Sequence, residues 1–130
     1  MRLSTLVILG VGSLLTIKAT DAHHAFATEF DVERPVALEG TVTKVELINP
    51  HSWIHVEVVD DSGEAVVWMI EGGSPNALVR RGITKNSIPI GAELIVNGYQ
   101  ARDGTHKAVG RDILFADGTA LFFQGTQIPD

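Results

Sequence analysis

The stretch Trp53-Ile54-His55-Val56-Glu57-Val58-Val59-Asp60-Asp61-Ser62-Gly63-Glu64-Ala65-Val66-Val67-Trp68-Met69-Ile70-Glu71-Gly72-Gly73-Ser74-Pro75 decides the fold. In its first seven residues Ile54, Val56 and Val58 share one face. Trp53, His55 and Glu57 share the other, which is the period of a β-strand. Asp60-Asp61-Ser62-Gly63 is a turn closed by glycine, so Ala65 to Glu71, nearly continuous in apolar residues, returns as the second strand of a hairpin. Gly72-Gly73 ends the sheet. Ser74 is a favourable N-cap and Pro75 suits the first helical position. Arg80 and Arg81 then complement the dipole of a short helix, and Gly82 can take the left-handed stop.

Outward from this stretch, strand signals continue in both directions. Val36 to Ile48 is rich in β-branched residues, with Gly40 at a bend or bulge and Asn49-Pro50 as the stop. Glu93 to Gln100 forms a fourth strand with Gly98 as a bulge. Val109 to Phe115 forms a fifth after the turn Arg102-Asp103-Gly104-Thr105, and Asp117-Gly118-Thr119 leads into a short sixth, Ala120 to Phe123. Three strands, one helix and two more strands with a hairpin extension is the order of an OB-fold. The expected class is therefore mainly all-β: a small OB-like barrel of five to six strands, closed or partly open, with one short helix between strands three and four. A flat sandwich is the alternative.

The chain has 130 residues, which suits one domain, and no cysteine, which excludes disulfides, thiolate catalysis and thiolate metal sites. Met1-Arg2-Leu3-Ser4 is cationic, Thr5 to Ile17 is an uncharged, mostly apolar run of 13 residues, and Thr20 and Ala22 are small residues at the −3 and −1 positions of a cleavage site. Residues 1–22 thus read as a secretory signal peptide, its apolar run shorter than the roughly 20 residues of a membrane span. The mature domain is 23–130, with a short N-terminal arm, a frayed polar tail after Phe123, and a periplasmic or secreted location. Removing Arg2, Lys18 and Asp21 takes the formal charge from −6 to −7. So acidic a domain is a poor ligand for nucleic acid or anionic lipid. A monomer is expected.

His23-His24-Ala25-Phe26, Glu39-Gly40-Thr41-Val42, Asn49-Pro50-His51-Ser52-Trp53, Glu71-Gly72-Gly73-Ser74-Pro75-Asn76 and Arg80-Arg81-Gly82 occur in this order. The set resembles a family of small exported bacterial proteins known only as a domain of unknown function, over nearly all of the mature chain. The resemblance implies a periplasmic location and an OB-like barrel, and it implies no activity.

The chemistry rests on the five histidines, His23, His24, His51, His55 and His106. Cleavage after Ala22 would make His23 the N-terminus, giving a free amine and an imidazole Nδ1 on one residue. One further imidazole completes a histidine brace, and such an all-nitrogen, thiolate-free set suits Cu(II). The candidate ligands are His23, His24, His51 and His55. On a straight strand His51 and His55 are about 13 Å apart, so only one of them, or a bulged pair, can serve one ion. The plainer reading makes the His-His pair a mobile end, His51 a turn residue and His55 a surface residue of a strand. Phe26 and Phe30 are expected to anchor the arm, and Trp53 and Trp68 to pack. Gly72-Gly73-Ser74-Pro75 could cradle an anion, but a tight strand-to-helix turn is the simpler account. Glu57, Asp60 and Glu71 form no evident catalytic pair. Three functions follow: an exported binding or accessory protein whose ligand is Cu(II) or another late transition metal; a module for an unknown protein, glycan or other small ligand; and, last, a copper-dependent enzyme.

Overall fold

The computed structural model describes residues 26–123. The expected signal peptide, His23, His24 and the tail after Phe123 lie outside the described residues. Six strands follow in chain order: β1 (Phe30–Ile48), β2 (His51–Val59), β3 (Ala65–Glu71), β4 (Glu93–Ala101), β5 (Lys107–Phe115) and β6 (Ala120–Phe123). A helix α1 (Pro75–Arg80) and a 3-10 turn (Lys85–Ser87) lie between β3 and β4. The strands bond in the order β3-β2-β1-β4-β5-β6, and β3 also pairs with β5. The first five therefore form a ring of hydrogen bonds, with β6 added outside on β5. This is the mainly β, OB-like plan that the order of elements implied.

The long first strand makes the ring possible. It pairs with β4 up to Thr41 and with β2 from Thr41 onward. Gly40 stands where it changes partner, and a Cβ there would come 2.2 Å from the Glu57 carbonyl oxygen. The bulge falls just beyond, between Val42 and Lys44. The β4–β5 register shifts between Asn97 and Gly98, but the extra residue is Arg111 on β5, so the bulge expected at Gly98 lies on the strand opposite it. β1 begins six residues before the β-branched run, at Phe30. Between the pairs Phe30–Ala101 and Pro35–Tyr99, residues 31–34 loop out opposite the single residue Gln100. Pro35 and the charged Asp31, Glu33 and Arg34 hide that extension from periodicity.

The inward residues of all five ring strands pack into one core, including Val42, Ile54, Val56, Ile70, Leu94, Val96 and Ile113. Leu78 of α1 and Ile88 after the 3-10 turn close one end of it. Ser74 caps α1 as expected, its Oγ accepting from Ala77 N–H at 3.2 Å. The glycines before it pair with β2: Ser52 N–H donates to the Gly73 carbonyl at 2.8 Å, and Gly72 N–H donates to the Ser52 carbonyl at 3.0 Å. That loop is a structural turn, with these backbone groups already used. No helix among the described residues is long and apolar enough to cross a membrane.

Two substitutions test this packing. A Cβ on Gly98 would lie 1.9 Å from the Val109 carbonyl oxygen, so Gly98→Ala should cost about 1–3 kcal/mol in urea denaturation. Ser52 is fully buried and its Oγ has no hydrogen-bond partner. Ser52→Ala should therefore leave stability unchanged or raise it by about 1 kcal/mol in the same assay.

Candidate functional site at the closure of the ring

The outward side chains of β2 at its start are His51, Trp53 and His55. Across from them on β3, Trp53 is paired with Glu71 and His55 with Met69. Alternation puts Glu71 on the outer face with Met69 and Val67, yet it is only 3% exposed. On its other side β3 meets β5 in parallel, with Met69 opposite Lys107 and Glu71 opposite Val109. Glu71 therefore sits between two strands rather than at an open edge. A carboxylate so placed is costly unless a donor answers it. The group that meets it is His51, a diagonal neighbour on β2, whose Nδ1 makes a hydrogen bond with Glu71 Oε1. Burial pushes the Glu71 carboxyl above the ordinary carboxylate range, against the opposing pull of His51.

The arm completes the surroundings. Residues 26–29 are helical, and Phe26 and Phe30 are both buried against Tyr99, Ala101 and Val109, the last being the register partner of Glu71. The Phe26 ring meets Tyr99 edge-on at 6.4 Å and Phe30 at 5.9 Å. These are the anchors that the sequence suggested. Arg102 holds the arm backbone, donating from its N–H to the Glu29 carbonyl and from Nε to the Ala27 carbonyl. Lys107 Nζ donates to Glu29 Oε1 at 2.6 Å and lies 5.8 Å from the centroid of the Trp53 ring. Glu29 and Lys107 both contribute to the field at Glu71, with opposite signs.

The histidines on β2 are not brought together. His55 Nε2 bonds to Glu46 Oε2 at 2.7 Å, while Lys44 takes the other oxygen of Glu46 at 2.7 Å. Lys44 first and His55 second hold the Glu46 carboxyl below its usual range. His106 packs its ring on Trp68 at 5.1 Å. Among the described residues no group of three or more His, Cys, Asp or Glu side chains could hold a metal ion. His51 differs from His55 in the atom it leaves open. His51 meets Glu71 through Nδ1, its side chain is 36% exposed, and the tautomer with the proton on Nδ1 is the one that leaves Nε2 its lone pair. A buried carboxylate orienting an imidazole in this way is the usual support of a metal-binding or proton-accepting histidine. Trp53 lies beside it, its ring centroid 6.4 Å from that of His51.

Glu71, Glu29 and Lys107 are the members of this cluster that sequence reasoning did not assemble. The available signal was Glu71 itself, a charge closing an otherwise apolar strand before Gly72-Gly73. Nothing local to Glu29 or Lys107, 78 positions apart in the chain, marks them as partners.

Because burial raises the Glu71 carboxyl, the folded state holds its proton more tightly than the unfolded chain. Its contribution to stability is thus full below the unfolded value of about 4.3 and is lost as pH rises through the folded value. Glu71→Gln should gain on the wild type as pH is raised from about 4 towards neutrality, followed by urea denaturation. A stability difference that is flat with pH would contradict the assignment.

No curated protein and no solved structure matches the chain. A family model matches residues 13–110, a span that includes β1 to β4, His51, Glu71 and Lys107. The chain belongs to that family, described as a family of unknown function (DUF6152).

Proposed function

We propose that this chain is an exported accessory protein that binds Cu(II), or another late transition metal, through His23 at a processed N-terminus and Nε2 of His51. The observation that carries the reading is the His51–Glu71 pair, in which a buried carboxylate presents one imidazole with a free nitrogen. The amine and Nδ1 of His23 would supply the other two donors, and nitrogen donors alone favour Cu(II). Chain length supports the pairing. His23 is three residues ahead of Phe26, a reach of about 10 Å. Phe26 packs on Val109, which is two strand spacings, about 10 Å, from the β2 edge of the cluster. Of the other two candidate ligands, His55 spends Nε2 on Glu46, and His24 is not needed.

Cu(II) titration watched by electron paramagnetic resonance tests this. Protein beginning at His23 should bind Cu(II) with a nitrogen-rich signal, and a single Met ahead of His23 should weaken binding sharply. His51→Gln, which keeps a donor for Glu71 but lacks the imidazole, should lose one nitrogen from the signal. Glu71→Gln should cost about 10–100-fold in affinity, the usual effect of removing a carboxylate behind a ligating histidine. Affinity should fall as pH is lowered, since amine and imidazoles must shed protons to bind. Equal affinity in processed and extended protein would discard the proposal.

A further inference from the structure

We propose that the open edge of β3, from Ala65 to Trp68, docks a basic, extended segment of a partner protein, which joins the sheet as an added strand. The proposal is independent of the metal reading above. β3 meets β5 only at Met69, Ile70 and Glu71. Ahead of that seam it pairs with β2 on one side and with no described strand on the other. The backbone fixes which groups face outward. Met69 N–H donates to the His106 carbonyl at 3.0 Å, away from β2. Gly72 N–H donates to the Ser52 carbonyl at 3.0 Å, and Asp60 N–H to the Glu64 carbonyl at 2.9 Å, both within the β2–β3 ladder. Bonding direction alternates along a strand of an antiparallel pair, so Val66 and Trp68 bond to β2 while Ala65 and Val67 turn N–H and C=O outward. Among the described residues these outward groups have no partner. Such groups are what strand addition uses.

Open edges are commonly blunted by a lysine, a proline or a bulge. The run Ala65 to Ile70 has no charge and no proline, and its register with β2 is unbroken. On the outer face beside the edge, Val67 is 45% exposed, and Val59, the register partner of Ala65, is 64% exposed. Charge then selects the occupant. From Val45 to Val79 the chain has no Lys or Arg. Glu57, the register partner of Val67, and Asp60, Asp61 and Glu64 at the turn are all exposed. A second copy would bring two acidic hairpins together, which like charge opposes. A partner segment with an apolar residue against Val67 and Lys or Arg on either side of it meets both features. A strand added to β3 lies two strand spacings, about 10 Å, from Glu57 on β2, a gap that two long side chains close between them.

The Val67 amide reports on the edge, because an added strand accepts its hydrogen bond. Its hydrogen exchange is to be followed by NMR with a capped peptide, Thr-Lys-Thr-Val-Thr-Lys-Thr, as the probe, and with the same peptide carrying Glu for Lys. At a concentration ten times its dissociation constant the Lys peptide should slow exchange at Val67 about tenfold, with the core amide of Val56 unchanged. The Glu peptide should leave Val67 as it was. Val67→Pro removes the outward donor without breaking a bond to β2, and should abolish binding of the Lys peptide while Val56 stays protected. Asp61→Lys with Glu64→Lys, which leaves the edge backbone intact, should weaken the Lys peptide about tenfold. No protection of Val67 by millimolar Lys peptide, or equal binding of the Lys and Glu peptides, would overturn the proposal. Protection of Val67 that grows with protein concentration alone would assign the edge to a second copy and overturn it as well.

Discussion

Three residues of β3, Met69, Ile70 and Glu71, pair in parallel with Lys107, Ala108 and Val109 of β5, and this short seam closes the ring. Everything proposed about the site depends on it. Without the seam, Glu71 would end an edge strand in water, where a carboxylate asks nothing of its neighbours. With it, Glu71 is walled by two strands and by an arm that packs on Val109, and its charge must be answered from within the protein. His51 answers it, and in doing so has one ring nitrogen committed and the other left open.

The contrast with His55 shows that residue type and face do not decide the chemistry. Both histidines point outward from β2 and both meet a glutamate. Glu46, however, is shared with Lys44 and has its carboxyl pulled below the usual range, whereas burial drives that of Glu71 above it. Glu46 is thus one corner of a surface ion-pair network, of small and salt-sensitive value. Among the described residues, Glu71 is a buried group whose only hydrogen-bonding side chain is His51, so removing His51 leaves a buried carboxyl without a side-chain partner. The rigidity of that support is what separates an imidazole able to wait for a ligand from one merely occupied.

The order of strands, the helix and its cap, and the bend at Gly40 were all legible, because each is written in local chemistry: alternation, glycine, proline, an N-cap serine; the bulge expected at Gly98 falls instead on its β5 neighbour, at Arg111. The burial of Phe26 and Phe30 was legible too, since two phenylalanines in a polar arm need a surface. The extension of β1 back to Phe30 was not, because its pairing skips residues 31–34 and so breaks the period. The cluster was legible only in part. His51 was singled out by type, but its partner Glu71 is set by a diagonal contact across β2 and β3, and Glu29 meets Lys107 only because the ring closes. Such contacts belong to topology, and no spacing in the chain records them.

The central claim is that Glu71 fixes His51 with the proton on Nδ1 and Nε2 free. Long-range nitrogen–proton NMR of the histidine rings, in metal-free protein near neutral pH, reads this directly. The account predicts that the His51 spectrum shows a protonated Nδ1 and an unprotonated Nε2, and that this pattern is lost in Glu71→Gln. A His51 ring carrying its proton on Nε2, or averaging freely between the two tautomers, would contradict it.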